Sequence, residues 1–441
     1  MGLSSLPGSG VSGQERGSAV EYKAQATSPL LSGEVRMTVS DKALTMTALF
    51  DTAEIAFSEI NALEHENYTI IIRADSGSYT LSRMGSWCQP FYDALNDAYN
   101  KAVLRALFIK GSPVLTAKGN YLYSEKNEKH GGSAAIHVYE NSVVTLPPDL
   151  SARRVPLCFV SGMEKSDFEL TLKMDTGDSY KYAKLGYDTE AFSDAVEKQI
   201  RALHERSVTA VKELDPALPA TQVSQVAKIM PYGAAAQIGT INSIAPSFAA
   251  ALEKKLYNTR AAESYQVFKE LCAPSKIYVG FRKNEVISGS DDGMPGKRAD
   301  SLSLNAVSSK TGMIAPPGKE ESETAQTDAI MLWLIAPSSD GQFAAVEFAE
   351  SDSATFVYRT DGDFPDFARQ LNRALEAIDF KREVIRLSDE ELWKPENADY
   401  FMAVKRTAAL RFIRSNFCGR VIHSGAENWK RRLTELWRAD T

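Results

Sequence analysis

The deciding stretch reads Asp167-Phe-Glu-Leu-Thr-Leu-Lys-Met-Asp175-Thr-Gly177-Asp-Ser-Tyr180-Lys-Tyr-Ala-Lys-Leu-Gly186 and then Tyr187-Asp-Thr-Glu-Ala-Phe192-Ser-Asp-Ala-Val196. Apolar and polar residues alternate from position 168 to position 174, which is typical of a strand with one buried face. Asp175 and Gly177 supply turn chemistry, because aspartate bonds its own backbone and glycine tolerates positive φ. A second strand, a glycine and an amphipathic helix follow.

The same order of elements occurs earlier, in residues 67–95. Phe91 there matches Phe192 at the start of the helix pattern, and the two are 101 residues apart. A weaker third copy lies at residues 345–371, where Phe367 follows Phe192 by 175 residues. Three copies in one order predict an internal repeat, with an insertion before or inside the third copy.

Each of the first two copies has further strand candidates before its hairpin and closes with an amphipathic helix. The candidates are 34–40, 43–50 and 53–60 in the first copy, and 134–140, 142–146 and 153–160 in the second. A meander of about 70 residues followed by one helix resembles the pleckstrin-homology (PH-like) superfold, a bent seven-stranded sandwich or barrel capped by a C-terminal helix. The resemblance covers roughly residues 29–206 and 275–380. It implies an α+β fold of repeated PH-like modules, and a generic α+β sandwich is the alternative.

The pattern divides the chain into segments. A Gly- and Ser-rich beginning predicts a disordered tail, and a stretch rich in Ser, Gly, Pro and charge predicts a long mobile loop. Helical periodicity predicts an inserted helical hairpin and a helical, basic C-terminal region. The predicted boundaries are a tail at 1–28, PH-like modules at 29–109, 110–206 and 275–380, a helical insertion at 207–274, the mobile loop at 284–327 and the helical basic region at 381–441.

The composition is that of an ordinary globular protein. The chain has 441 residues, a formal net charge of −7, 44% hydrophobic residues and 24% charged residues. No apolar run reaches the roughly 18 residues of a membrane helix, and the first residues lack a signal-peptide core. Four widely spaced cysteines without a C-x-x-C motif predict reduced, mostly buried thiols. These observations predict a cytoplasmic protein, and the acidic total disfavours nucleic acid as a partner.

The sequence carries no complete motif for catalysis, a metal or a cofactor. Residues 8–13 match the dinucleotide fingerprint G-x-G-x-x-G, but they neither follow a strand nor open a helix. The five histidines do not pair at metal-ligand spacing on one element. Cys418 and His423 are close in sequence and form a candidate nucleophile–base pair, although burial of the thiol is the simpler interpretation. We therefore predict no enzymatic activity, no cofactor and no metal.

The C-terminal region alternates basic and aromatic residues, a pattern that in principle suits phosphate or anionic lipid. A solvated helix face is the simpler interpretation. PH-like domains that bind phosphoinositides carry a basic loop between their first two strands. The corresponding turns here, at 40–42 and 140–142, lack that cluster. The candidate binding residues are Arg420, Lys430, Arg431 and Arg432.

Three functions remain open. The resemblance implies a non-enzymatic scaffold that binds protein partners through sheet edges and the groove beside the capping helix. The alternative is peripheral binding of anionic lipid or phosphate through the basic C-terminal region. A second alternative is an enzyme with a site assembled across domains. The scaffold explains the repeats and the lack of a catalytic motif, while the oligomeric state is left undecided.

Overall fold

A computed structural model describes residues 21–125, 128–283, 330–349 and 354–437. Within these ranges the chain forms three antiparallel β-sheets covered by helices, which confirms the predicted α+β class. None of the described helices has the length and apolar character needed to cross a membrane. The predicted mobile loop at 284–327 and the predicted tail before residue 21 lie outside the described residues.

The first unit is a curled seven-stranded sheet closed by one helix. Its elements are β1 (Tyr22–Thr27), β2 (Ser32–Val39), β3 (Ala43–Thr47), β4 (Thr52–Ala56), β5 (Ile60–Glu66), β6 (Thr69–Ala74), β7 (Gly77–Ser82) and α1 (Cys88–Ala106). The strand order is β4-β3-β2-β1-β7-β6-β5. All seven strands and α1 contribute side chains to one core, for example Val35, Ile70 and Leu95. The sheet therefore bends around that core, as expected of a PH-like unit.

The second unit repeats this topology. Its elements are β8 (Leu115–Glu125), β9 (Glu128–Val138), β10 (Ser142–Leu146), β11 (Arg153–Pro156), β12 (Val160–Ser166), β13 (Glu169–Met174), β14 (Ser179–Ala183) and α2 (Thr189–Leu214). The strand order, β11-β10-β9-β8-β14-β13-β12, matches that of the first unit position by position. Even the irregularities correspond, because β5 has a register shift between Ile60 and Ala62 and β12 has one between Val160 and Gly162.

The third unit has a different strand order. Its strands are β15 (Ala236–Gln237), β16 (Tyr278–Lys283), β17 (Ile330–Pro337), β18 (Phe343–Phe348), β19 (Ala354–Arg359) and β20 (Phe417–Ile422), and they pair in sequential order. Among the residues that the structure describes, the third sheet thus differs from the first two in strand number and order, and a PH-like module at 275–380 stays a prediction. The edge strand β20 comes from the region predicted as helical, and its register on β19 shifts between Val357 and Tyr358.

Helices cover both faces of the third sheet. They are α3 (Ala220–Ile229), α4 (Ile238–Ile244), α5 (Pro246–Tyr257), α6 (Ala262–Leu271), α7 (Phe364–Ala377), α8 (Glu383–Arg386), α9 (Asp389–Leu392), α10 (Ala398–Arg406), α11 (Ala408–Ser415) and α12 (Ala426–Leu436). One core contains Phe248, Phe268 and Trp429, and the opposite core contains Phe367 and Leu410. The predicted helical hairpin at 207–274 thus consists of the end of α2 and four shorter helices.

The three phenylalanines of the repeat occupy the same helical position. Phe91, Phe192 and Phe367 each lie three residues after the first residue of α1, α2 and α7. All three are 0% exposed. The helix signal is therefore common to the three units, whereas the seven-stranded order is common to the first two.

The strand β1 lies inside the range predicted as a disordered tail. Its inward side chains are Ala24 and Ala26, which are buried but small. Alternation of alanine with lysine and glutamine gives a weak hydrophobic signal, so the strand was missed. The first β-turn of unit 1 is consequently residues 28–31 and not 40–42, and it contains no basic residue.

Candidate functional site

The four predicted binding residues lie on β20 and α12. Lys430 pairs with Glu270 at 2.6 Å, and Arg431 pairs with Glu435 at 2.8 Å on the same helix. Arg420 and Arg432 are exposed. Two of the four cations are therefore engaged in local ion pairs.

Other basic side chains of the C-terminal region hold unit 1. Lys405 Nζ of α10 donates to Asp75 Oδ2 at 2.6 Å and also reaches Ser58 O at 3.3 Å. The neighbouring Arg406 is 1% exposed and donates to Tyr99 Oη at 2.6 Å. Two of the basic side chains in this region, Lys405 and Arg406, thus attach α10 to the β6–β7 turn and to α1.

An equivalent contact holds unit 2. Arg373 of α7 donates through Nε to Asp175 Oδ1 at 3.1 Å, and its guanidinium lies 5.3 Å from the ring of Phe159. Asp175 and Asp75 are the first residues of the two repeated Asp-x-Gly turns. Besides reversing the chain, the repeated turn therefore binds the third unit, because the aspartate of each copy accepts a hydrogen bond from a basic side chain on a helix of that unit.

A buried ion pair also joins units 2 and 3. Arg154 Nη1 and Nη2 donate to the two carboxylate oxygens of Glu376, each at 2.5 Å. The two side chains are 6% and 5% exposed. A bidentate pair of this kind fixes both distance and direction. It attaches the polar face of α7 to strand β11.

The β5 edge of unit 1 is occupied by a segment of unit 2. Leu63 N–H donates to Pro148 O at 2.7 Å, and Ala62 forms a β-bridge with Asp149. Leu146, just before this segment, is buried in the core of unit 1. Unit 1 thus already holds an extended peptide along the edge that lies beside its helix.

The equivalent edge in unit 2 is open. Met163 lies 100 residues after Leu63 and takes the same place after the register shift. In the part of the chain that the structure describes, no backbone hydrogen bond reaches β12 from outside its own sheet. Met163 is half-buried against the core of unit 2, and the end of β12 is exposed. A strand edge and an adjoining helix are therefore available to another chain.

Cys88 and His65 form a thiol–imidazole contact within unit 1. Cys88 Sγ lies 3.5 Å from His65 Nε2, but burial raises the pKa of the Cys88 thiol. Burial likewise raises the pKa of Cys272 to about 11. None of the four cysteines forms a disulfide; Cys88 is buried, and the other three are partly buried against the cores of units 2 and 3. No metal-ligand cluster occurs in the described ranges either.

The predicted pair of Cys418 and His423 is replaced by other contacts. His423 Nε2 lies 3.3 Å from Glu347 Oε1 and 3.1 Å from Thr355 Oγ1. Trp429 Nε1 donates to the same Thr355 oxygen at 3.0 Å. Glu347 is 2% exposed, and burial raises its pKa against the opposing effects of His423 and Thr355. No local sequence pattern predicts this buried polar cluster, because its members come from β18, β19, the residue after β20 and α12.

Comparisons with known proteins add little. No family model matches the sequence, and no curated protein matches it. Among solved structures, a chain from "Structure of the Spt16D Pob3N heterodimer" is similar at 12% sequence identity over 36% of this chain and 86% of that chain, with a TM-score of 0.16.

Proposed function

We propose that the chain is a non-enzymatic scaffold with tandem PH-like units, which binds a protein partner as an extended strand along β12, beside α2. One observation carries the proposal. The β5 edge of unit 1 accepts an extended segment, whereas the equivalent β12 edge accepts none from the described chain. An unpaired edge offers a row of backbone donors and acceptors, which is the basis of recognition by strand addition.

The correspondence of the two edges identifies the atoms that would bind. Leu63 N–H is the outward donor in unit 1, so Met163 N–H is the outward donor in unit 2. Main-chain bonds of this kind supply affinity, and pockets for alternate side chains supply specificity. The flexible thioether of Met163 suits a surface that adapts to a bound side chain.

The occupant of unit 1 indicates which kind of segment β12 would take. That occupant reads Leu146-Pro147-Pro148-Asp149. A residue before proline is restricted to extended conformations, so such a segment loses less conformational freedom when it binds. We expect the partner of β12 to supply an extended, proline-containing segment with one apolar anchor, as Leu146 supplies to unit 1.

The test compares two substitutions at one position. Met163→Pro removes the outward N–H, whereas Met163→Leu keeps it and retains an apolar side chain of similar size. Each full-length variant is checked for folding by circular dichroism and then used for affinity capture with identification of the bound proteins. We expect a bound protein that Met163→Leu retains and Met163→Pro loses. Identical sets of bound proteins from two folded variants would contradict the proposal.

The other interpretations have less support. Lys405 and Arg406 are engaged with unit 1, which weakens the case for lipid or phosphate binding by the basic C-terminal region. The raised thiol pKa of Cys88 argues against a Cys–His nucleophile there. Four cysteines without a disulfide agree with a reducing compartment, so a cytoplasmic location belongs to the same proposal.

A further inference from the structure

A polar cavity lies where the linker between units 1 and 2 meets unit 2 and unit 3. Its volume is about 430 Å³, within the range of roughly 300–1,000 Å³ that is usual for small-molecule sites. Three carboxylates and four cations line it, which leaves a local charge of +1 in a chain of net charge −7. The four cations are Lys110, Arg154, Arg206 and Arg282.

The excess positive charge arises because two cations share one carboxylate, that of Asp379. Asp379 accepts from Lys110 Nζ at 2.7 Å and from Arg282 Nη2 at 2.9 Å, so it serves two cations. The two remaining arginines each have a carboxylate of their own. Burial alone would raise the pKa of Asp379, but the hydrogen bonds and charges of Lys110 and Arg282 outweigh burial and lower it. The trio therefore carries a positive charge at neutral pH.

Arg282 is held in place before any ligand binds. Its guanidinium lies 4.7 Å from the ring of Tyr232 and 4.7 Å from the ring of Phe380. Its Nη2 donates to both Tyr232 Oη and Asp379. Arginine has five N–H donors and lysine has three. Both Arg282 and Lys110 thus keep further donors for a ligand, and the stacked guanidinium is rigid.

We propose that this cavity binds a small phosphate-type anion between Lys110 and Arg282. Such an anion matches the excess charge, and a planar guanidinium beside an ammonium group is a usual pair of donors to phosphate oxygens. Ser112, on the cavity wall next to Lys110, adds a hydroxyl donor. The bound anion would connect the inter-unit linker with strand β16, which carries Arg282. This proposal is independent of the β12 edge.

The test measures thermal unfolding of the full chain with inorganic phosphate, against chloride at matched ionic strength. We expect phosphate to raise the melting temperature. Lys110→Gln should weaken the apparent phosphate affinity at least about tenfold, because it removes a charge-assisted hydrogen bond. The control is Lys254→Gln on α5, an exposed cation outside the cavity, which should behave as the native chain does. Circular dichroism of Lys110→Gln verifies that it is folded.

A second arm distinguishes the source of the phosphate group. The chain is sedimented with phosphatidylcholine vesicles that contain or lack phosphatidylinositol bisphosphate. Binding that requires this lipid and is lost in Lys110→Gln identifies a lipid headgroup, whereas stabilisation by phosphate without sedimentation identifies a soluble anion. Equal stabilisation by chloride, or a phosphate effect that survives in Lys110→Gln, overturns the proposal.

Discussion

Removal of either partner of the ion pair between Arg154 and Glu376 should cost several kcal/mol of stability. Both side chains are nearly inaccessible, and two bonds of 2.5 Å join them. Removing one partner leaves the other charge buried, which costs roughly 3–5 kcal/mol. Two charge-assisted bonds at about 1.5–3 kcal/mol each give about 3–6 kcal/mol, which overlaps this range. We therefore expect Arg154→Met and Glu376→Met each to destabilise the chain by about 3–5 kcal/mol.

A double variant and a variant of an exposed ion pair provide the comparisons for this prediction. Arg154→Met combined with Glu376→Met removes both charges, so its loss should be smaller than the sum of the single losses. Glu197→Gln breaks the exposed Glu197–Arg201 pair and should cost less than about 0.5 kcal/mol. The assay is urea unfolding of the full chain, read from the transition that includes unit 2. Single losses below about 1 kcal/mol, or strict additivity, would refute the reasoning.

Two further predictions concern the buried cluster and the repeated turns. Burial raises the pKa of Glu347 above 4.5, so the folded chain holds this proton more tightly than the unfolded chain. The free energy of unfolding should therefore fall as the pH rises from 4.5 through the pKa of the folded state. Glu347→Gln should flatten the dependence of the unfolding free energy on pH above 4.5, the ordinary pKa of a glutamate, in urea titrations, and an unchanged slope would exclude this role. Asp75→Asn should loosen α10 and Asp175→Asn should loosen α7, each by roughly 1 kcal/mol because the pairs are partly exposed. Amide hydrogen exchange should rise only in the helix that lost its partner, and an equal rise in both helices would speak against the assigned contacts.

The sequence allowed the closing hairpin and helix of units 1 and 2 to be predicted, because the repeat ties each turn to a helix, but the predicted strands omit β5 and β12 as well as β1. The strand β1 escaped prediction since its inward residues, Ala24 and Ala26, are small. The contacts between units could not be predicted from the sequence for a different reason. Arg373 and Glu376 follow the helical spacing of a solvated face, and nothing local reveals that Asp175 and Arg154 cover that face.

Helix α7 explains why a scaffold of this kind would use ion pairs between its units. Its apolar face, with Phe367 and Leu371, packs on the third sheet, and its polar face binds unit 2. Apolar packing tolerates many relative orientations, whereas a bidentate arginine–carboxylate pair permits few. On this hypothesis the pair specifies geometry more than it adds stability. The double variant of Arg154 and Glu376 tests it, because its particle dimensions in small-angle scattering should vary more widely than those of the native chain even where its stability recovers. A partner held at β12 would then lose its fixed orientation relative to unit 3.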